Sequence, residues 1–269
     1  MTTGCDSRQS VGMADGLPSV EKIAVFLAGY AALLMGCGAT CIRVEKNTKR
    51  MATAFGLNID VSMMPAHVYV AVLGENGEEC CVAMRPVPRH AISFSLNARL
   101  SRLSWEVADR RMDFSDAEKV FCAVERTPAT GKWETLLLAS LANASFCRLF
   151  GGDLIAMLIV FLSTLAGFRL KQIMIDDHRD VRLTFLCASF FSATLSAAGH
   201  VFGIGATPGV ALGTSVLYLI PGVPYINAVS DLFDRHYLCA FSRFADAAVL
   251  TVCLSVGLCA GMLLLNVRN

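Results

Sequence analysis

The chain has 269 residues, 55% of them hydrophobic, and its 23 basic residues nearly cancel its 22 acidic ones. That balance gives no basis for nucleic-acid binding, and a mean hydropathy of +0.55 is high for a soluble domain. Charge is also unevenly spread: residues 1–132 hold 15 Lys/Arg and 14 Asp/Glu while residues 133–269 hold eight of each, so the first half reads as soluble and the second as membrane-type.

Residues 1–18 read as a flexible N-terminus and residues 19–131 as an α+β domain. Residues 23–42, IAVFLAGYAALLMGCGATCI, are uncharged and long enough to pass as a sixth membrane helix or an uncleaved anchor. Against that, Gly36 and Gly38 each cost about 1 kcal/mol relative to Ala inside a helix, and neither a basic segment nor a small-residue cleavage site frames the run. The alternative is a buried hairpin of two soluble helices, residues 20–35 and 40–55, broken at Gly-Cys-Gly.

AHVYVAVLG (66–74) and ECCVAMRPVP (79–88), joined by ENGE, form a β-hairpin signal in which Asn76-Gly77 supplies residues that tolerate positive φ. Leu96, Leu100, Leu103 and Val107 then mark a helix over 96–111. Ser115-x-x-Glu118 has the form of a capping box for the next helix, which ends near Thr127-Pro128.

Domain 132–269 is predicted to hold five spans, near residues 133–150, 154–170, 183–203, 209–227 and 247–267, because the charged residues cut the apolar sequence into pieces that cross a ~30 Å hydrocarbon layer. The first is the weakest, since Arg148 has to snorkel from its end. The expected fold is thus an α-helical membrane protein of five transmembrane helices preceded by a cytoplasmic α+β domain. Arg169, Lys171, Arg179 and Arg182 after the second span and Arg235 and Arg243 after the fourth place those loops inside, the N-terminal domain in the cytoplasm and the C-terminus outside, with Arg268 the one basic residue dissenting.

No Gly-x-Ser-x-Gly, Walker-type GxxxxGK[ST], His-Glu-x-x-His or strand-linked GxGxxG occurs, so neither an enzyme nor a nucleotide-driven pump is expected. The 11 cysteines include no CxxC and no ligand-spaced histidine, and read as small apolar filler with no metal or other cofactor.

The most informative stretch is SVLYLIPGVPYINAVSDLF (215–233), where Pro221, Gly222 and Pro224 interrupt a membrane-grade apolar run. Proline removes backbone donors, which is expected to leave carbonyls near Leu217 and Ile220 without helical partners and so to require a polar cavity. Pro224, Asn227 and Asp231 share one helical face toward it. The other reading is a plain helix terminus at the cytoplasmic surface with Asp231 solvated. Asp231 either carries a proton or pairs with Arg235. Arg148 and Asp153, flanking Gly151-Gly152, form an interfacial pair, or Arg148 draws in a carboxylate-bearing solute. His200 relays protons, packs through a hydrogen bond, or sits at the outer interface.

LIPGVPYINAVSDLF, the preceding ALGTSVLY and the turn Phe146-Cys147-Arg148-x-x-Gly151-Gly152-Asp153 resemble the threonine/serine exporter family, in particular its YjjP-like half-size members. GCGATCIRVEKNTKR (36–50) is similar to the family's Gly-Ala-x-x-x-Arg-Val-Glu helix start, with Arg43 and Glu45 in the charged positions, where a gating or structural role is implied. The likeness runs from about residue 21 to 265. It implies an inner-membrane exporter of small polar metabolites, either succinate-like dicarboxylates or threonine and serine, with residues 23–42 in the soluble domain. It also implies that a separate small membrane subunit of YjjB type supplies the second half of the path, alongside the bilayer itself and a possible homo-oligomer. The expected roles are Arg148, Gly151, Gly152, Asp153, Pro221, Gly222, Pro224 and Asn227 along the substrate route, and Asp231 with His200 in proton coupling. A different class, a membrane-anchored sensor or assembly protein with a ligand-binding cytoplasmic domain, remains open at this point.

Overall fold

A computed structural model describes residues 19–74, 77–88, 92–109, 112–126 and 131–266. The expectations for residues 1–18, Asn76, Thr127-Pro128 and Arg268 lie outside those residues. The chain divides into two compact units, Met1–Arg126 and Thr127–Asn269.

In the first unit, α1 (Val20–Gly36) and α2 (Cys41–Ala54) form the helical hairpin that the glycines at the Gly-Cys-Gly break suggest. Ser19 accepts the Lys22 N–H and starts α1, and Gly38 turns the chain at φ +94°. α1 is buried on nearly all sides, which is why its sequence looks like a span. It lies on a three-stranded antiparallel sheet of order β1 (Asn58–Met63), β2 (His67–Leu73) and β3 (Glu79–Pro86). The hairpin β2–β3 follows the sequence expectation. β1 was not expected, although Ile59 and Val61 alternate with exposed neighbours as a one-faced strand requires.

α3 (Phe94–Ala108) starts two residues before the expected point, because Ser93 caps it by accepting the Leu96 N–H. α4 (Phe114–Glu125) has Asp113, not Ser115, at its N-cap position, so the expected capping box lies inside the first turn. α2 and α3 meet through a polar ladder: Arg43 donates to Asn97, Asn47 to Ser101, and Arg50 to Asn47 and Ser104. Burial pushes the Cys37 thiol up to about 11, which keeps it an uncharged, inert packing group.

The second unit contains α5 (Lys132–Leu149), α6 (Leu154–Asp176), α7 (Val181–Val201), α8 (Pro208–Thr214), a 3-10 turn at Leu217–Leu219, α9 (Gly222–Phe233) and α10 (Tyr237–Leu264). Among the described residues α6, α7 and α10 are long and apolar enough to cross a membrane, and a fourth crossing arises if the bent pair α8–α9 counts as one. α5 is not among them, since Lys132, Glu134 and Arg148 fall within its 18 residues. α10 begins ten residues before the expected start of the fifth span; Arg243 and Asp246, read from sequence as flanking charges, lie inside it.

α7 is the central helix, with Ala188, Ser189, Ser192, Ala193, Ser196 and Ala197 all buried. Small side chains let neighbours approach closely where no hydrophobic force drives helices together. Gly257 of α10 lies against the Leu186 carbonyl and Ser189 Oγ, and Gly261, one turn on, against Phe190, Ala193 and Thr194. The contacts advance together along both helices, so α7 and α10 run parallel and α8–α9 returns the chain between them.

Candidate functional site

Of the sequence-selected residues in the second unit, Arg148 to Asp153 and His200 fall at one end, and Pro221 to Asp231 run from the helix break toward the other. At one end α5 stops in a Schellman turn: the Gly151 N–H donates to Arg148 O and the Gly152 N–H to Cys147 O. Gly151 has φ +85°, and a Cβ on Gly152 would sit 2.5 Å from Cys147 Sγ and 2.8 Å from its carbonyl. Both glycines are therefore required by the turn itself. Arg148 and Asp153 do not pair with each other. Arg148 Nη1 donates to Gly152 O at 3.1 Å, while Asp153 caps α6 through the Ala156 N–H and holds the loop before α8 through the Ala206 N–H and the Thr207 hydroxyl. His200, in the last turn of α7, is at this same end.

Those donors, the Ala206 and Ala156 N–H groups first and the Thr207 hydroxyl after them, hold the Asp153 carboxyl below its usual range. Its unfolded value is ~3.9, so the stabilisation is present above about pH 4 and is lost as pH falls through the lower folded value. Asp153→Asn, which keeps the cap shape, is expected to be less stable than the parent at neutral pH, with the two unfolding curves converging under strong acid. A stability difference that stays constant across pH would contradict this.

At the other end, Asn227 and Asp231 are both buried on one face of α9. Asp231 Oδ2 lies 2.8 Å from Arg243 Nη1 of α10, with side-chain exposures of 0% and 17%. The expected Arg235 pairing does not form: α9 ends at Phe233, and Arg235, exposed at φ +65°, reverses the chain so that the second turn of α10 comes to face Asp231. Arg243 lies 14 residues before Gly257, so His200 and Asp231 are at opposite ends of the α7–α10 pair.

The helix break is real but differs in detail from the expectation. Pro208–Leu219 and Gly222–Phe233 are bent by 59°, with Ile220 extended at φ −60°, ψ 123° before Pro221, as pre-proline sterics favour. The carbonyls of Leu217 and Ile220 are not orphaned; they accept from Ile220 N at 3.1 Å and Gly222 N at 2.8 Å. Pro224 sits in the first turn of α9, where a missing N–H costs nothing.

The polar surroundings lie instead just upstream, at the end of α8. Asn143 Nδ2 donates to Thr164 Oγ1 at 2.6 Å and to Thr214 O at 3.1 Å, bringing α5, α6 and α8 to one point. Ser192 Oγ donates to Ser163 O and shares a 2.9 Å hydrogen bond with Tyr218 OH. One turn along α7, the buried Ser196 Oγ has no hydrogen-bond partner among the described residues. Asn143 is residue 12 of 18 in α5, Thr164 residue 11 of 23 in α6 and Ser192 residue 12 of 21 in α7, so the layer lies near mid-length of each helix. Gly167 makes room for it, since a Cβ there would collide with Ser192 Oγ and Tyr218 OH. Sequence reasoning passed over these residues because none is charged; the available signal was the helical recurrence of Ser140, Asn143 and Cys147 on one side of α5.

Arg43 and Glu45 both belong to the first unit, where Arg43 bonds Asn97 and Glu45 pairs with Lys49 at 2.7 Å. Among the described residues no group of three or more His, Cys, Asp or Glu could hold a metal ion.

A discontinuous helix beside a mid-depth layer of buried amide and hydroxyl groups, within a set of long apolar helices, is the architecture of a membrane transporter. The chain belongs to the threonine/serine exporter family: residues 25–265 match the profile described as "Putative threonine/serine exporter". It is similar to the "Probable succinate transporter subunit YjjP" of Klebsiella aerogenes, 26% identical over 254 residues that cover 93% of this chain and 96% of that one. The protein of the same name in Escherichia coli K12 is 25% identical over 239 residues, covering 88% and 92%. No solved structure matches the chain.

Proposed function

We propose that the chain is one subunit of a secondary transporter that exports small polar metabolites, succinate-like dicarboxylates or threonine and serine, across a bacterial inner membrane. In this reading α5, α6, α7, the bent α8–α9 and α10 are its five spans. The first unit lies in the cytoplasm, and a separate small membrane subunit of YjjB type completes the path.

The observation that carries the reading is the Asn143 amide held 3.1 Å from Thr214 O beside the broken span. A polar side chain at mid-depth is costly unless it is paired or faces a solute route, and discontinuous helices bring backbone groups to such sites. On α7, one turn from Ser192, the buried Ser196 Oγ has no hydrogen-bond partner among the described residues and can take one more hydrogen bond. In this reading Asp231 and Arg243 lie on the cytoplasmic side, which the basic loops favour, and their pair opens when Asp231 takes a proton. Pro221, Gly222, Pro224 and Asn227 line the route beyond that gate. Arg148 and Asp153, with Gly151 and Gly152 shaping their turn and His200 nearby, stand at the far mouth, where Arg148 attracts the carboxylate of the solute.

The test is efflux from proteoliposomes loaded with labelled succinate, threonine or serine. Flux of at least one of them is expected with both subunits and not with either alone. If both subunits together move none of the three, the proposal fails.

A further inference from the structure

The first unit contains a cleft of about 550 Å³ between α1, α4 and the end of β3, a volume in the range of small-molecule sites. Its floor is apolar, built from Phe26, Leu33 and Phe121. Four charged residues line it: Lys22, Arg85, Glu118 and Glu125, two of each sign. Lys22 and Glu118 satisfy each other at 2.9 Å. Among the described residues the Arg85 and Glu125 side chains have no ion-pair or hydrogen-bond partner. Arg85 is paired across the ladder with the buried Val68, so its side chain leaves the sheet on the face that α1 covers.

Gly29 supplies an independent observation. It is residue 10 of the 17 in α1 and lines the same cleft. A glycine inside a helix is destabilising relative to alanine, and packing does not demand one here, since a Cβ at Gly29 would meet nothing within 4 Å. The missing side chain leaves the helix backbone open to whatever occupies the cleft.

We propose that this cleft binds a small zwitterion with an apolar body, of which an apolar α-amino acid is the simplest example. Its carboxylate is taken by the Arg85 guanidinium, the donor group best matched to a carboxylate. Its ammonium is taken by Glu125, and its side chain lies over Phe26 and Phe121 against the bare backbone at Gly29. The two unpartnered charges are of opposite sign, which favours a ligand carrying both over a simple anion or cation. The site is formed within the first unit and does not depend on the transport reading of the second.

Calorimetric titration of the full chain in lipid nanodiscs with L-leucine and L-phenylalanine tests this. Saturable binding is expected for at least one of them, weakened about tenfold or more when leucine amide or 4-methylpentanoate removes one of the two charges. Arg85→Ala, at an exposed residue, and Gly29→Leu, which fills open space, are each expected to abolish it, with partial recovery in Arg85→Lys. Absence of saturable binding for both amino acids overturns the proposal, as does binding left unchanged by either the Arg85→Ala or the Gly29→Leu substitution.

Discussion

Arg243→Met is expected to destabilise the second unit by about 3–5 kcal/mol, the usual cost of removing one partner of a buried ion pair. Asp231 is fully buried and the Arg243 side chain is 17% exposed, so solvent screens the pair poorly. The double variant Asp231→Leu/Arg243→Met is expected to recover most of that loss, because a well-packed apolar pair commonly matches a buried salt bridge in stability. Reversible chemical unfolding in mixed micelles measures both. The functional consequence separates the pair's two roles: a stable double variant should retain no pH-dependent flux if Asp231 carries the coupling proton. A double variant that transports with the parent's pH profile would reduce the pair to a structural contact.

Gly257→Leu should be the next most damaging single change. At that position α10 touches α7 with no side chain between them; a Cβ would press on Ser189 Oγ and the Leu186 carbonyl and sit 3.0 Å from Phe190 N. Two of those three atoms are backbone and cannot rotate away. Overpacking a tight contact costs about 1–3 kcal/mol, and here the whole α7–α10 interface must separate to admit the side chain. Gly213→Leu, where a Cβ meets nothing within 4 Å, is the matched control and should unfold near the parent midpoint. Equal loss in both variants would contradict the α7–α10 contact as the cause, since Leu is a better helix former than Gly and propensity alone would stabilise each.

The elements that sequence reading placed well are those marked by strong local chemistry. Uncharged runs marked α7 and the later part of α10, and Pro221 and Pro224 marked the break between α8 and α9, because proline acts on its own backbone whatever the tertiary context. The errors came where distant groups decide. Arg243 and Asp246 bounded the predicted span, and α10 starts ten residues before that span, which carries Arg243 to Asp231 of α9. Arg235 looked like the natural partner by its four-residue spacing, but the helix stops at Phe233 before that spacing can operate.

The mid-depth layer was the least visible feature. Asn143, Thr164 and Ser192 are individually ordinary, and only the convergence of three helices makes them a site. The carbonyls at Leu217 and Ile220 were expected to be open and are instead closed by short local turns, a rearrangement that proline's missing N–H permits but does not specify. Arg148 and Asp153 were legible as a functional-looking pair because they flank two glycines. Arg148 instead bonds Gly152 O within its own turn, and the bonds of Asp153 to residues 206–207 come from a loop some fifty residues away in sequence.

Substrate efflux from proteoliposomes containing both subunits, compared between the parent chain and Asn143→Leu at matched folded content, bears most directly on the solute route. Loss of about tenfold or more in rate with unchanged assembly is the result predicted by a route through the layer that Asn143, Thr164 and Thr214 form. A folded Asn143→Leu protein that exports at the parent rate would place the route elsewhere.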